Sequence, residues 1–252
     1  MTTEDIGWGA KLEYGDPDHL VAFVSGWGQP GNQNFHFQPF ANTLSQTKLF
    51  LRDHANCHYT KGIQGVTENE EESVEFLKYL LDKIGPKRVS FISGSLGSHA
   101  TVLWGHKLGV DDIHLIGPVT DLMLGIEQER AYHPAFAESA KVAQQMVDEG
   151  YEYVNLREFM QANTDKVDCV DLYYGLDDQM DIDQAGNVED LPHVRSTVYH
   201  RGDHFRVPMF VQRRDPVMSD RINADHVDKP KELRRARKTD PIELGYASVK
   251  LL

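Results

Sequence analysis

Apolar residues fall along this chain in two alternating rhythms. Residues 19–25 (HLVAFVS) form a continuous apolar run with β-branched and aromatic content, the signature of a strand buried on both faces of a parallel sheet. Residues 47–52, 88–93, 112–117, 166–174 and 194–200 repeat that rhythm. Between these runs the apolar spacing changes. In 70–84 the apolar positions are Val74, Phe76, Leu77, Leu80, Leu81 and Ile84, a spacing that predicts an amphipathic helix. Further helices are predicted over 39–44, 97–108 and 205–213, and a long polar loop over 53–67. Strands alternating with helices imply a mostly parallel central sheet flanked by helices on both faces. Residues 120–165 are mostly helical and interrupt the alternation; they read either as a small helical cap over a site or as ordinary crossover helices. From Arg214 the chain turns polar, with a basic cluster at 229–238 that reads as a solvated face or tail. The expected organisation is one domain over 1–213 and a polar C-terminal tail over 214–252.

Composition narrows the function classes. A 252-residue chain that is 40% apolar and 26% charged is in the range of one α/β domain and needs no metal or disulfide to hold a core. The net charge is 26 − 39 = −13, which repels phosphate backbones and anionic lipid, so neither nucleic acid nor a membrane surface is expected as a partner. Cys57 and Cys169 lie far apart and form no CxxC, so a reducing compartment is the simpler expectation. No apolar run approaches the roughly 18 residues of a membrane helix, and the acidic N-terminus lacks the pattern of a secretory signal. A cytoplasmic protein is therefore expected. No GxxxxGK[ST] occurs, and no cofactor is expected. His54 and His58 are spaced HxxxH without a third obvious ligand, so no metal is expected either.

The sharpest chemical signal is RVSFISGSLGSHATVLWG, residues 88–105. A strand runs into Ser93-Gly94-Ser95-Leu96-Gly97 and a helix follows at once. This is the G-x-S-x-G nucleophile elbow with Ser93 in the first glycine position. A serine held on so tight a turn needs small residues two before and two after it, so that strand and helix approach without clash. The turn lifts the Ser95 hydroxyl above the sheet and aims the Leu96 N–H at a developing oxyanion. Ser93 and Ser98 are rivals, but only Ser95 has a small residue on both sides at that spacing. A serine hydroxyl needs a base, and His204, in the Arg201-Gly202-Asp203-His204 loop after the last strand, is where a base belongs; His200 and His193 compete. The acid is expected in the loop after residue 174, with Asp178 first and Asp181 and Asp177 behind it. The second oxyanion donor is expected after the first apolar run, from Trp27 or, second, Gly26. Arg52, Tyr59 and His99 are candidate substrate contacts, with Arg52 and Asp53 more simply read as an ion pair that pins the loop.

SGWG at 25–28, LRDHANCHYTKGIQG at 51–65 and SGSLGSHATVLWG at 93–105 together resemble a bacterial group of α/β-hydrolase-like proteins found near polysaccharide and glycan biosynthesis functions. In that group an Arg-Asp pair leads to an aromatic residue and two glycines; the counterparts are Arg52, Asp53, Tyr59, Gly62 and Gly65. The chain departs from the group's elbow at Ser93, Leu96, Ser98 and His99. The resemblance implies an α/β-hydrolase-like fold more strongly than a reaction, and it gives no substrate; the partner expected is a small-molecule or glycan-linked acyl substrate. The resulting expectation is a serine hydrolase of esterase or deacylase type. An acyltransferase with the same residues, or a non-catalytic module that binds glycan or protein, stands as the alternative. A homo-oligomer is left open.

Overall fold

In a computed structural model, residues 2–28, 34–132, 137–213 and 216–223 are described. Their alternating runs assemble into one eight-stranded sheet of order β1-β2-β4-β3-β5-β6-β7-β8. The strands are β1 Thr3–Gly7, β2 Ala10–Glu13, β3 Asp16–Val24, β4 Gln46–Leu51, β5 Arg88–Ser95, β6 Asp112–Pro118, β7 Cys169–Gly175 and β8 Val194–Tyr199. The pairs from β4 through β8 are parallel, while β1–β2 and β2–β4 are antiparallel. The helices are α1 Gln38–Ala41, α2 Glu70–Ile84, α3 Gly97–Leu108, α4 Leu122–Tyr132, α5 Ala137–Asp148, α6 Leu156–Ala162, α7 Gln179–Gly186, α8 Arg206–Arg213 and α9 Pro216–Asn223. Among the described residues no helix is long and apolar enough to cross a membrane.

Each central strand feeds two cores, because successive side chains point to opposite faces. Leu20, Ala22 and Val24 of β3 join the larger core, whereas Val21 and Phe23 join the smaller one on the opposite face. Leu49 and Leu51 of β4 divide from Phe50 in the same way. Full burial of such a side chain stabilises the fold by about 1.5–3 kcal/mol. Local signals agree with this packing. Helix α2 starts where the Asn69 side chain accepts from Glu72 N and Glu72 reaches back to Glu68 N, and it stops at Gly85 with φ +68°, an N-cap and a left-handed C-cap.

Three features depart from the sequence reading. The β1–β2 hairpin precedes the first apolar run: β1 is largely exposed, and the four-residue β2 buries only Ala10 and Leu12 in the larger core. Helix α7 occupies part of what reads as an acidic loop. Helix α9 lies beyond Arg213, and its Met218 and Ile222 are buried in the smaller core. The packed body therefore extends past residue 213 to at least Asn223; the basic cluster at 229–238 lies outside the described residues. Helices α4 and α5 pack Leu122, Ile126, Ala143 and Met146 against Leu96 and Trp27.

Several buried histidines make the fold acid-sensitive. Burial lowers the pKa of His19 to about 4, of His58 to about 3 and of His193 to about 4. Their folded values lie below the unfolded value near 6.5, so the unfolded chain binds more protons as pH falls from about 6.5 toward 4. The stability they contribute is intact above pH 6.5 and is lost through that window, at up to about 1.4 kcal/mol per pH unit for each group. Urea midpoints at pH 7 and pH 5 check this: the midpoint drops, and an unchanged midpoint contradicts it.

Candidate active site

Ser95 ends β5 with φ +52°, a left-handed conformation that side-chain-bearing residues adopt at a cost. The turn is possible because Gly97 has no side chain: a Cβ there would lie 2.8 Å from the carbonyl oxygens of Val24 and Ser25. Ser93 and Ser98, the rival serines, are fully buried. Leu96 follows directly and opens α3, where backbone N–H groups have no intrahelical partner.

The loop after β8 brings His204 to this serine. His204 Nε2 lies 3.0 Å from Ser95 Oγ, and Nδ1 lies 2.6 Å from Asp181 Oδ1. A carboxylate accepts, so Nδ1–H donates to Asp181 and Nε2 is left to accept from the Ser95 hydroxyl. Gly117, with φ +55°, backs this pair; a Cβ on it would come within 2.9 Å of His204 Nδ1. His200 is exposed, and His193 is buried beside His106.

The carboxylate that meets the imidazole is Asp181, which corrects the expectation of Asp178. Asp178 is the N-cap of α7, where its side chain accepts from Met180 N at 3.0 Å and from His204 N at 3.0 Å. Asp177 accepts from Gly202 N. Asp181 sits one helical turn further on, fully buried, with no hydrogen-bond partner for Oδ2 among the described residues. Burial raises its pKa, and the hydrogen bond and charge of His204 oppose that rise. The spacing Asp178-x-x-Asp181 is itself a helix-start signal, a capping residue followed by an acid in the first turn. That signal marks where α7 starts but does not say which of the two aspartates faces His204.

The two loops that carry acid and base touch through their main chains. A Cβ on Gly175, at the end of β7, would collide with Gly202 O, and Gly202 has φ +138°. Leu176 N donates to Tyr199 O at 2.9 Å, and Asp177 N to Gly202 O at 3.3 Å.

A cavity of about 410 Å³ opens over Ser95. Its walls include Trp27, Phe35, Phe37, Ile116, Phe205 and Pro208, with His36, His204 and Gln212 as polar members. Residues 120–165 contribute none of its described lining. Trp27, the expected second donor, is at the wall. Gly26 is not free for that role, because its N–H donates to His36 Nδ1 at 3.2 Å.

The other expected contacts lie elsewhere. Tyr59 is buried behind the site, its hydroxyl donating to the carbonyl oxygens of Ser25 and Leu51. His99 is buried in α3, with Nε2 2.7 Å from Tyr153 O. Arg52 is buried behind the wall and donates to Asn34 O at 3.2 Å. It does not pair with Asp53, which instead pins the loop by accepting from the backbone N–H groups of Ala55, Cys57 and Tyr59. An ionised carboxylate offers enough lone pairs to gather three such donors from a turn. His54 Nε2 lies 2.9 Å from Trp8 O, while His58 stacks edge-on against His99, so the two histidines do not converge. No cluster of three metal-binding side chains occurs among the described residues. Among the lining residues that the sequence reading missed, His36 is the titratable one; nothing in its local pattern separates it from the other histidines of the chain.

No protein-family model matches the chain, and no curated protein matches it. Solved structures do. The capsule O-acetyltransferase of Neisseria meningitidis serogroup A superposes with a TM-score of 0.64 at 12% identity, over 86% of this chain and 92% of that one. A glycosylation-associated protein (Gap123) complex from Streptococcus agalactiae gives 0.59 at 13%, over 90% of this chain and 46% of that one. MGS-M2, an α/β hydrolase from a Medee basin deep-sea metagenome library, gives 0.55 at 12%, over 87% and 95%. At such identities the likeness speaks for the fold, and the fold of this chain is that of the α/β hydrolases.

Proposed function

We propose that this protein is a serine hydrolase that cleaves an ester or acyl bond through an acyl-enzyme. The reading rests on one arrangement, His204 within 3.0 Å of the Ser95 hydroxyl and 2.6 Å of the Asp181 carboxylate. Ser95 Oγ attacks the acyl carbonyl and gives its proton to His204 Nε2. The Asp181 carboxylate stabilises the imidazolium that forms. The N–H groups of Leu96 and Trp27 hold the tetrahedral oxyanion. The imidazolium then protonates the leaving alcohol, and water, deprotonated by the same imidazole, releases the acid. The aromatic and aliphatic walls of the cavity suit an acyl or alcohol group with an apolar body.

Labelling with a fluorophosphonate probe tests the reading. The native protein is expected to label on the peptide that contains Ser95, and Ser95→Ala abolishes the label. A folded wild-type protein that does not label supports a non-catalytic binding module instead. If the unlabelled enzyme, given an activated ester and an added alcohol acceptor, forms new ester faster than free acid, the acyl-enzyme belongs to an acyltransferase.

A further inference from the structure

We propose that His36 is a substrate-contacting hydrogen-bond donor of this site, presenting Nε2–H to the carbonyl oxygen on which charge develops. The proposal rests on the reading of Ser95 as nucleophile.

His36 lines the same cavity as Gly94, Ser95 and His204. Its ring is oriented by two contacts with the exit of β3. The backbone N–H of His36 donates to Ser25 Oγ at 3.1 Å, and Nδ1 accepts from Gly26 N at 3.2 Å. A backbone N–H only donates, so Nδ1 carries a lone pair and the proton of the neutral ring is on Nε2. No described residue is hydrogen-bonded to that Nε2.

Gly26, which sets the ring, is itself pressed on the elbow. A Cβ there would collide with Gly94 O and lie 3.2 Å from Ser95 Cβ. The imidazole is therefore hung from the main-chain segment that touches the nucleophile. Gly26 N–H is spent on Nδ1, and the ring relays that donor function to its far edge.

The electrostatics suit a donor rather than a base. Burial, and then the positive charge of Arg52, hold the His36 pKa below its ordinary value. Near neutral pH the ring keeps its Nε2–H and does not take the Ser95 proton in place of His204. Arg52 is buried, and its positive charge acts on the His36 ring. A fixed donor with a cation behind it favours an oxygen that gains negative charge.

Two substitutions separate this role from a structural one. In His36→Asn the side-chain oxygen can still accept from Gly26 N–H, but nothing donates at the Nε2 position. In His36→Gln an amide N–H returns near that position. The measurement is the rate of fluorophosphonate labelling of Ser95, with kcat/KM for p-nitrophenyl butyrate and the Tm of each variant. His36→Asn is expected to slow labelling and lower kcat/KM by about tenfold or more at an unchanged Tm, by analogy with loss of one oxyanion donor. His36→Gln is expected to recover to within about threefold of wild type. Wild-type rates in His36→Asn overturn the role of His36 while leaving the nucleophile intact. Equal losses in both variants, accompanied by a lowered Tm, also overturn it, because they mark a packing role. A wild-type protein that fails to label overturns the nucleophile and the role of His36 with it.

Discussion

Asp181→Asn is expected to lower kcat toward an ester by about 10⁴-fold, the scale seen when a triad carboxylate is made neutral and the histidine tautomer is lost. Tm should be unchanged or slightly raised. Burial pushes the Asp181 carboxyl toward its protonated form, so a neutral isostere removes a charge that the interior disfavours. Asp178→Asn should do the opposite. The amide oxygen still caps α7, while the acceptor for His204 N–H is lost; kcat is expected to stay within about 100-fold of wild type. Asp178→Ala loses both contacts and should cost about 2 kcal/mol of stability. Steady-state kinetics with thermal unfolding on the three variants separates the two aspartates. A collapse of kcat in Asp178→Asn, with Asp181→Asn active, would reverse the assignment of the acid.

The second large effect is on stability. Asp171 is fully buried on β7 and accepts from Arg195 Nε and Nη2 at 2.7 Å and from Arg221 Nη1 at 2.9 Å. Arg88 pairs with Asp112 on β6 and also donates to the carbonyl oxygens of Arg221 and Ile222. Together these groups clamp α9 to the sheet. Asp171→Asn leaves two guanidinium groups without their carboxylate. Breaking a buried pair from one side typically costs about 3–5 kcal/mol, and the lower end is expected because Arg195 is 35% exposed. Urea denaturation should show the midpoint falling, and limited proteolysis should cut first at α9. A stability change under about 0.5 kcal/mol would mean that water screens the pair as it does at a surface.

Much of this fold is legible in the chain because burial imposes periodicity. Six apolar runs predict the six parallel strands, and the spacing in 70–84 and 97–108 predicts α2 and α3 with the ends observed. The β1–β2 hairpin is not legible in the same way, since β1 is largely exposed and β2 offers only Ala10 and Leu12 as buried apolar positions, too short a run to mark a strand. Ser95 and His204 are legible because backbone geometry restricts what surrounds them: small residues around one, a glycine loop before the other. The choice between Asp178 and Asp181 is not, because it depends on the direction in which the first turn of α7 points. The same holds for Tyr59, His99 and Arg52. Their sequence neighbourhood borders the site, but their side chains turn into the core or behind the wall. His36 is reached only through the tertiary hydrogen bond to Gly26.

The main-chain contact between Gly175 and Gly202 has a consequence for how such a site ages. Most distances inside a protein are set by side chains, and substitution elsewhere can stretch them by fractions of an ångström. Here two glycines meet backbone to backbone, which works as a ruler between the segment leading to the carboxylate and the segment leading to the imidazole. Drift in the surrounding layers can repack the body and leave that spacing untouched, whereas a single methyl on Gly175 collides with the Gly202 carbonyl and resets it.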